Sequence, residues 1–241
     1  MALMPERGHR ASPRALARAL YWIGLGALNT CFAVSTPDWP DTPLTRLEAL
    51  ALIQTLNAEI LASRSATSSL EQWCRAHHLA AKPVIVARRI DPLPEPASPA
   101  QRAALEVGAH DLLRYRRVEL SCGDHVLSIA DNWYVPGRLT AGMNRQLEGT
   151  QTPFGLVVQP LHPHRETLEV KLLWSPLPEG WESNGAGALA PRGARLDLPA
   201  ALFEHRAILY TAQHQPIAEV HEIYQRDLLA FPEPQLHQNG D

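Results

Sequence analysis

Lysine is almost missing from this chain of 241 residues, in which the only lysines are Lys82 and Lys171. The arginines are scattered, and the formal net charge is −3. A surface that binds nucleic acid normally shows clustered basic residues and a basic balance, so we expect no nucleic-acid partner. Scattered arginines suit solvated faces, with a few left over to bind carboxylate ligands.

Several catalytic signatures are also missing. The sequence has no Gly-x-Ser-x-Gly elbow, no phosphate-binding loop and no His-Glu-x-x-His motif, which excludes the hydrolases, nucleotide-binding proteins and zinc peptidases that depend on them. The segment His162-Pro163-His164 is a weak metal motif, because no matching acidic partner is evident. We therefore predict neither a metal nor a cofactor.

The N-terminal 35 residues have the pattern of a secretory signal. An apolar run spans residues 19–34 and ends near the small residues Ala33 and Ser35, as signal peptidase requires. Four arginines precede the run: Arg7, Arg10, Arg14 and Arg18. We predict cleavage after about Ser35, which would place a mature protein without a membrane anchor in the periplasm or outside the cell. An uncleaved anchor, a misassigned start codon and lipidation at Cys31 stay open as alternatives.

Cysteine is scarce as well, with three in the chain. Removal of residues 1–35 would leave Cys74 and Cys122. An even pair in an oxidising compartment is compatible with a disulfide. Two unpaired, buried thiols fit the sequence equally well.

The mature chain begins with a pattern typical of two helices. Five apolar residues recur at helical spacing behind a capping box at Thr45–Glu48, which predicts a helix to about Leu61; they are Leu47, Leu50, Ile53, Leu56 and Ile60. A second box, Ser68–Glu71, opens a helix to about His78. We predict that residues 36–80 form a helical hairpin packed on the main domain.

The following residues, 81–231, alternate in the manner of β-strands, with two helices between them. Strands are predicted at Lys82–Ile90, Leu112–Ser121, Val126–Val135, Gly155–Val158, Arg165–Trp174, Phe203–Ala212 and Pro216–Tyr224, and helices at Pro99–Val107 and Thr140–Leu147. Residues 175–198 are predicted to form a long excursion of the kind used as a lid or binding loop, and residues 232–241 a flexible tail. Consecutive hairpins flanked by helices predict an α+β fold on an antiparallel sheet of about six strands.

The order of motifs within about Lys82–Phe231 resembles that of chorismate lyase. A strand arginine, Arg117, precedes Cys122 by five residues, and Val135-Pro136 closes the hairpin. The turn Thr152-Pro153-Phe154-Gly155 comes next, then His164-Arg165-Glu166 as a looser match, and a last strand with Pro216 and Glu222.

This resemblance implies a chorismate lyase-like fold and a lyase reaction without a cofactor. In that reaction, which belongs to ubiquinone biosynthesis, chorismate loses pyruvate and becomes 4-hydroxybenzoate. The resemblance implies that Arg117 binds the ring carboxylate and that Glu222 bonds the oxygen where the ether breaks. It further implies that Phe154 and Gly155 supply a wall and main-chain contacts.

Departures from the family pattern keep other functions open. The segment Ala130–Tyr134 lacks the basic residue of the enzyme's second hairpin strand, and Glu219 is an alternative counterpart to Glu222. Chorismate is made in the cytoplasm, whereas this chain has an export signal. The alternatives are an exported, non-catalytic module that binds a small aromatic or sugar acid, like the effector domains of GntR-type regulators, and a structural envelope protein. The sequence leaves the oligomeric state open.

Overall fold

The computed structural model describes residues 39–90, 95–183, 190–191 and 193–234. The predicted secretory signal and residues 235–241 of the predicted tail lie outside these ranges, so both stay predictions. Within the described residues, no helix is long and apolar enough to cross a membrane.

A single antiparallel sheet organises the described part of the chain. Its six strands are β1 (Ile85–Ile90), β2 (Arg114–Cys122), β3 (His125–Tyr134), β4 (His164–Leu172), β5 (Ala201–Tyr210) and β6 (Pro216–Gln225). Their order in the sheet is β1-β2-β3-β6-β5-β4. Every neighbouring pair is antiparallel, which confirms the predicted α+β fold class.

Five α-helices accompany this sheet in the described residues: α1 (Pro43–Ala62), α2 (Ala66–Ala76), α3 (Pro99–Ala104), α4 (Ala141–Gly149) and α5 (Phe154–Val157). The first two form the predicted hairpin but begin earlier than the capping boxes indicated. Thr42 and Ser65 are the N-caps, and their hydroxyl oxygens accept hydrogen bonds from the backbone N–H groups three residues later. Pro43 fits the first helical position because that position needs no N–H donor.

The predicted strand Gly155–Val158 is wrong, since these residues belong largely to α5. The carbonyl of Pro153 accepts from the N–H groups of Leu156 and Val157, at 3.1 Å each, which starts a helical turn. A short apolar run is compatible with a buried strand and with a buried helix, so hydrophobic periodicity cannot distinguish the two.

The two faces of the sheet carry different layers. One, here called the hairpin face, includes Leu120, Ala130 and Val220 and packs against α1, α2, α4 and α5. The other, the α3 face, includes Trp133 and Ile208 and packs beside α3. Strand residues alternate between these faces with a period of two, so the face of each functional side chain is determined by the register.

A disulfide joins the hairpin to the sheet. Cys74 in α2 bonds to Cys122 at the end of β2, with their Cα atoms 6.4 Å apart, and both residues are completely buried. The structure therefore favours the paired interpretation over two unpaired thiols. Because Cys122 contacts α2, its side chain lies on the hairpin face.

Candidate functional site

A small pocket of about 40 Å³ opens between the hairpin face and the start of α2, beside a wider cleft of about 280 Å³ that shares Ser65 and Gly155 with it. Ser65 and Thr67 line it from the helix side, and Phe154 and Gly155 line it from α5. A Cβ atom added at Gly155 would lie 3.1 Å from the Ser65 hydroxyl and 3.2 Å from the Thr67 hydroxyl. Glycine thus lets α5 approach α2 closely at the pocket wall.

Arg165 of β4 is the pocket's buried cation. Its side chain is 3% exposed, and its Nη1 forms an ion pair with Glu222 Oε2 at 2.7 Å. Its Nε and Nη2 are buried and have no hydrogen-bond partner among the described residues. Burial alone would lower the pKa of Arg165, but the nearby Glu222 carboxylate and Tyr224 outweigh burial and raise it. The guanidinium therefore stays charged, and its Nε and Nη2 donors have no partner among the described residues.

Glu222 of β6 is the partner of that cation. It is 7% exposed, and its Oε2 also accepts a hydrogen bond from the Tyr224 hydroxyl at 3.1 Å. Burial, and secondarily the Glu222 charge, raise the pKa of Tyr224, so the phenol stays protonated and donates. The Glu222 carboxylate therefore interacts with both Arg165 and Tyr224.

His205 of β5 lies opposite Glu222 in the register and is completely buried. Asn57 Oδ1 lies 2.7 Å from its Nε2; an amide oxygen can only accept, so His205 donates. Its Nδ1 has no partner among the described residues. Burial first, and then the Arg165 charge, lower the pKa of His205 to about 4, which keeps this imidazole neutral near pH 7.

Arg116 of β2 is a second buried cation on the hairpin face, 2% exposed. It lies opposite Asn132, which lines the pocket. Its Nη2 donates to the Thr152 carbonyl at 3.2 Å, whereas Nε and Nη1 have no partner in the described part of the chain. Burial, and then the neighbouring Arg89, lower the pKa of Arg116 to about 10. A positive charge that has no carboxylate partner among the described residues thus lies next to the pocket.

The structure brings three of the four predicted site residues to this pocket: Phe154, Gly155 and Glu222. It places Arg117 on the α3 face, where Arg117 Nη1 bonds Asp131 Oδ2 at 3.2 Å. Arg117 pairs with Asp131 across the strands, while Glu222 pairs with Ala130. Adjacent strand positions point to opposite faces, so Arg117 and Glu222 do not converge on one site.

Glu219 does not replace Glu222 in the pocket. It lies on the α3 face, where its Oε1 accepts from Arg206 Nη2 at 2.8 Å and from Gln101 Nε2 at 3.3 Å. The described part of the excursion 175–198 contributes no residue to the pocket lining.

Sequence reasoning missed the roles of Arg165, Arg116 and His205. The one available signal was the segment His164-Arg165-Glu166, which resembles the corresponding segment of the family only loosely.

Comparison with known proteins shows a clear relative. The chain is 45% identical over 204 residues to the uncharacterized protein y4mC of Sinorhizobium fredii, a match that covers 84% of this chain and 86% of y4mC. No family model matches the chain.

Solved structures are less similar to this chain than y4mC is in sequence. The effector domain of PhnF from Mycobacterium smegmatis is 13% identical, with a TM-score of 0.42 over 67% of this chain and 88% of that domain. The ligand-binding domain of a putative GntR-family regulator from Bordetella bronchiseptica is 18% identical, with a TM-score of 0.36 over 57% of this chain and 80% of that one. The possible regulator YydK of Bacillus subtilis has a TM-score of 0.36 and 13% identity, over 65% of this chain and only 63% of YydK. All three TM-scores lie below 0.5, so these likenesses carry no argument about function.

Proposed function

This chain belongs to the family of the uncharacterized protein y4mC, and from its own pocket we propose that it binds a small aromatic carboxylic acid. The observation that supports this most is Arg165, whose buried guanidinium leaves Nε and Nη2 without a partner among the described residues. Each buried, unsatisfied donor costs about 1–3 kcal/mol. A ligand carboxylate would accept two such N–H groups together, in the bidentate geometry that a guanidinium offers.

The charges around the pocket favour an anionic ligand. Arg165 and Glu222 neutralise one another, and His205 is neutral because of its lowered pKa. Arg116 adds a buried positive charge with no carboxylate partner in the described residues. A carboxylate on the ligand would offset the positive charge of Arg116, whereas a neutral ligand would leave that charge uncompensated.

The pocket walls favour a ring on that acid. Phe154, Leu209 and Val220 line the pocket with apolar side chains, which suit a flat, apolar body. Ser65, Thr67 and Asn132 add polar groups able to bond ring substituents. An aromatic hydroxy acid satisfies both parts of the lining.

A lyase reaction on chorismate is a second candidate, favoured by Glu222. Its carboxylate lies in the pocket beside a charged guanidinium, where it could accept the proton that the ring loses on becoming aromatic, while the enolpyruvyl group leaves with the ether oxygen. The predicted partnership with Arg117 is not available there, so Arg165 would have to hold the ring carboxylate. Incubation of the protein with chorismate, followed by chromatography for 4-hydroxybenzoate and pyruvate, tests this candidate. Product at the rate of the blank would refute it.

We also propose that the protein works in the periplasm or outside the cell. The Cys74–Cys122 disulfide supports this location, because such bonds persist mainly in oxidising compartments. Fractionation of cells followed by immunoblotting tests it, and a protein found only with the cytoplasmic markers would contradict it.

Titration calorimetry with 4-hydroxybenzoate, benzoate and glucuronate tests the binding function. We expect saturable binding of the aromatic acids and a loss of roughly 10- to 100-fold in affinity in Arg165→Gln, as expected for a charge-assisted bond of about 1.5–3 kcal/mol. Arg165→Lys keeps the charge but loses the fork geometry, so it should bind more weakly than wild type and remain folded.

Arg117→Gln is the matched control, since Arg117 is a strand arginine on the other face of the same sheet. Its affinity should equal that of the wild type. The proposal fails if no acid binds the wild type, or if Arg117→Gln weakens binding as much as Arg165→Gln. A preference for glucuronate over both benzoates would replace the aromatic acid by a sugar acid.

A further inference from the structure

Three side chains with metal-binding atoms meet at the β4 edge of the sheet, away from the pocket. His164 and Glu166 are two residues apart on β4 and therefore share one side of the strand, opposite to Arg165 between them. His214 lies in the turn between β5 and β6. His164 Nε2 is 3.1 Å from His214 Nδ1 and 3.7 Å from Glu166 Oε1, and His214 Nε2 is 3.8 Å from the same Glu166 oxygen.

The scaffold under these residues is ordered by its own contacts. His164 lies opposite Tyr210 in the sheet register, and the two rings stack with centroids 5.2 Å apart. The His214 ring stacks on the same tyrosine at 4.5 Å. His214 has a φ of +59°, and its N–H donates to the Thr211 carbonyl at 2.9 Å. The two imidazoles thus come from a strand and a hydrogen-bonded turn that the structure already holds together.

We propose that His164, Glu166 and His214 bind Zn²⁺ and tie the edge strand β4 to the β5–β6 turn. Zinc bonds imidazole nitrogen at about 2.0–2.1 Å and carboxylate oxygen at about 2.0–2.2 Å in a tetrahedron, which puts ligand atoms roughly 3.3 Å apart. The three ligand-capable atoms already lie within 4.8 Å of one another. Two imidazoles and one carboxylate suit zinc and its transition-metal neighbours rather than Mg²⁺ or Ca²⁺. A water would fill the fourth position.

This site departs from the sequence-based expectation of no metal, and it uses the histidine segment differently. The segment His162-Pro163-His164 lacked an evident acidic partner. Glu166 supplies it on the same strand, and His214, distant in sequence, takes the place of His162. In the metal-free protein, the imidazole contact between His164 and His214 uses a nitrogen lone pair that zinc would otherwise occupy, so the two arrangements exclude each other.

Titration calorimetry of tag-free protein with ZnCl₂ tests the site. We expect one zinc per chain, no comparable binding of Mg²⁺, and a rise in melting temperature with zinc, because zinc would bind the folded state alone. His214→Ala should bind zinc at least about tenfold more weakly and lose the rise in melting temperature. Its side chain is 67% exposed, so this variant should fold, and its melting temperature without zinc measures the cost of an alanine at a positive φ. Glu166→Gln should weaken binding in the same direction.

His110→Ala is the matched control, since His110 is an exposed histidine in the turn before β2. It should bind zinc as the wild type does. The proposal is refuted if the wild type shows no saturable zinc binding, if His214→Ala retains wild-type affinity, or if His110→Ala loses as much as His214→Ala. None of these outcomes depends on the pocket, because the cluster lies on the other side of β4.

Discussion

Replacement of His205 by glutamine should remove a large part of the protein's sensitivity to mild acid. The folded protein holds the pKa of His205 at about 4, whereas an unfolded chain has a histidine pKa of about 6.5. Below pH 6.5, His205 therefore binds a proton in the unfolded chain but stays neutral in the folded protein until the pH approaches 4. The contribution of His205 to stability is full above pH 6.5 and is lost as the pH falls toward 4.

The difference between the two pKa values sets the size of this loss in stability. The full difference corresponds to about 3 kcal/mol, of which about 2 kcal/mol is lost between pH 8 and pH 5. The structural cause is the burial of the ring, with its Nδ1 unpartnered in the described residues and the Arg165 charge close by. A glutamine amide can still donate to Asn57 Oδ1 but cannot take up a proton.

Urea unfolding at pH 8 and pH 5, followed by tryptophan fluorescence, measures the effect. The stability difference between wild type and His205→Gln should shrink by about 2 kcal/mol on going from pH 8 to pH 5. His110→Gln, a change at an exposed histidine, should leave the pH dependence of the wild type intact. If the difference between wild type and His205→Gln is the same at both pH values, the assigned cause is wrong.

Two further changes test what holds the hairpin in place. The Cys74–Cys122 bond closes a loop of 48 residues, so the double variant Cys74→Ala/Cys122→Ala should lose about 4 kcal/mol in urea unfolding without reductant; a loss below about 1 kcal/mol would contradict this. Arg46→Gln should cost about 3 kcal/mol, because it leaves Asp41 buried beside a lost cation. The same change at Arg88, whose side chain is 65% exposed in its ion pair, should cost less than about 1 kcal/mol, and equal losses would refute the comparison.

Much of the fold could be predicted because local patterns are strong. The alternation in β2, β3, β5 and β6 and the helical spacing in α1 each require only neighbouring residues. The pairing of β3 with β6, and of β4 with β5 across the excursion 175–198, depends on contacts far apart in sequence. The spacing of apolar residues along the chain carries no information about those contacts, so the order of the strands in the sheet could not be predicted from it.

The site was predicted in part for a similar reason. Glu222, Phe154 and Gly155, which the resemblance to chorismate lyase indicates, line the pocket, whereas Arg117 lies on the α3 face and its neighbour Arg116 on the hairpin face. Cys122 faces α2 through its disulfide, and a residue five positions earlier on a regular strand must face the other way. Arg116, six positions before Cys122, therefore shares the hairpin face with it. Arg165 comes from β4, which three strands separate from β2 in the sheet, and only the folded structure shows it in the pocket.

Arg46 and Arg165 show why the free donors of Arg165 indicate a ligand. Both side chains are 3% exposed, and each has a carboxylate partner within 2.7 Å. Arg46 donates from Nε and Nη2 to the two oxygens of Asp41, and only its Nη1 is unpartnered in the described residues. Arg165 gives one nitrogen to Glu222 and leaves Nε and Nη2 unpartnered in the described residues. Because a buried ion pair is already weak support for stability, a pair that also leaves two donors unsatisfied is better explained by a ligand that satisfies them.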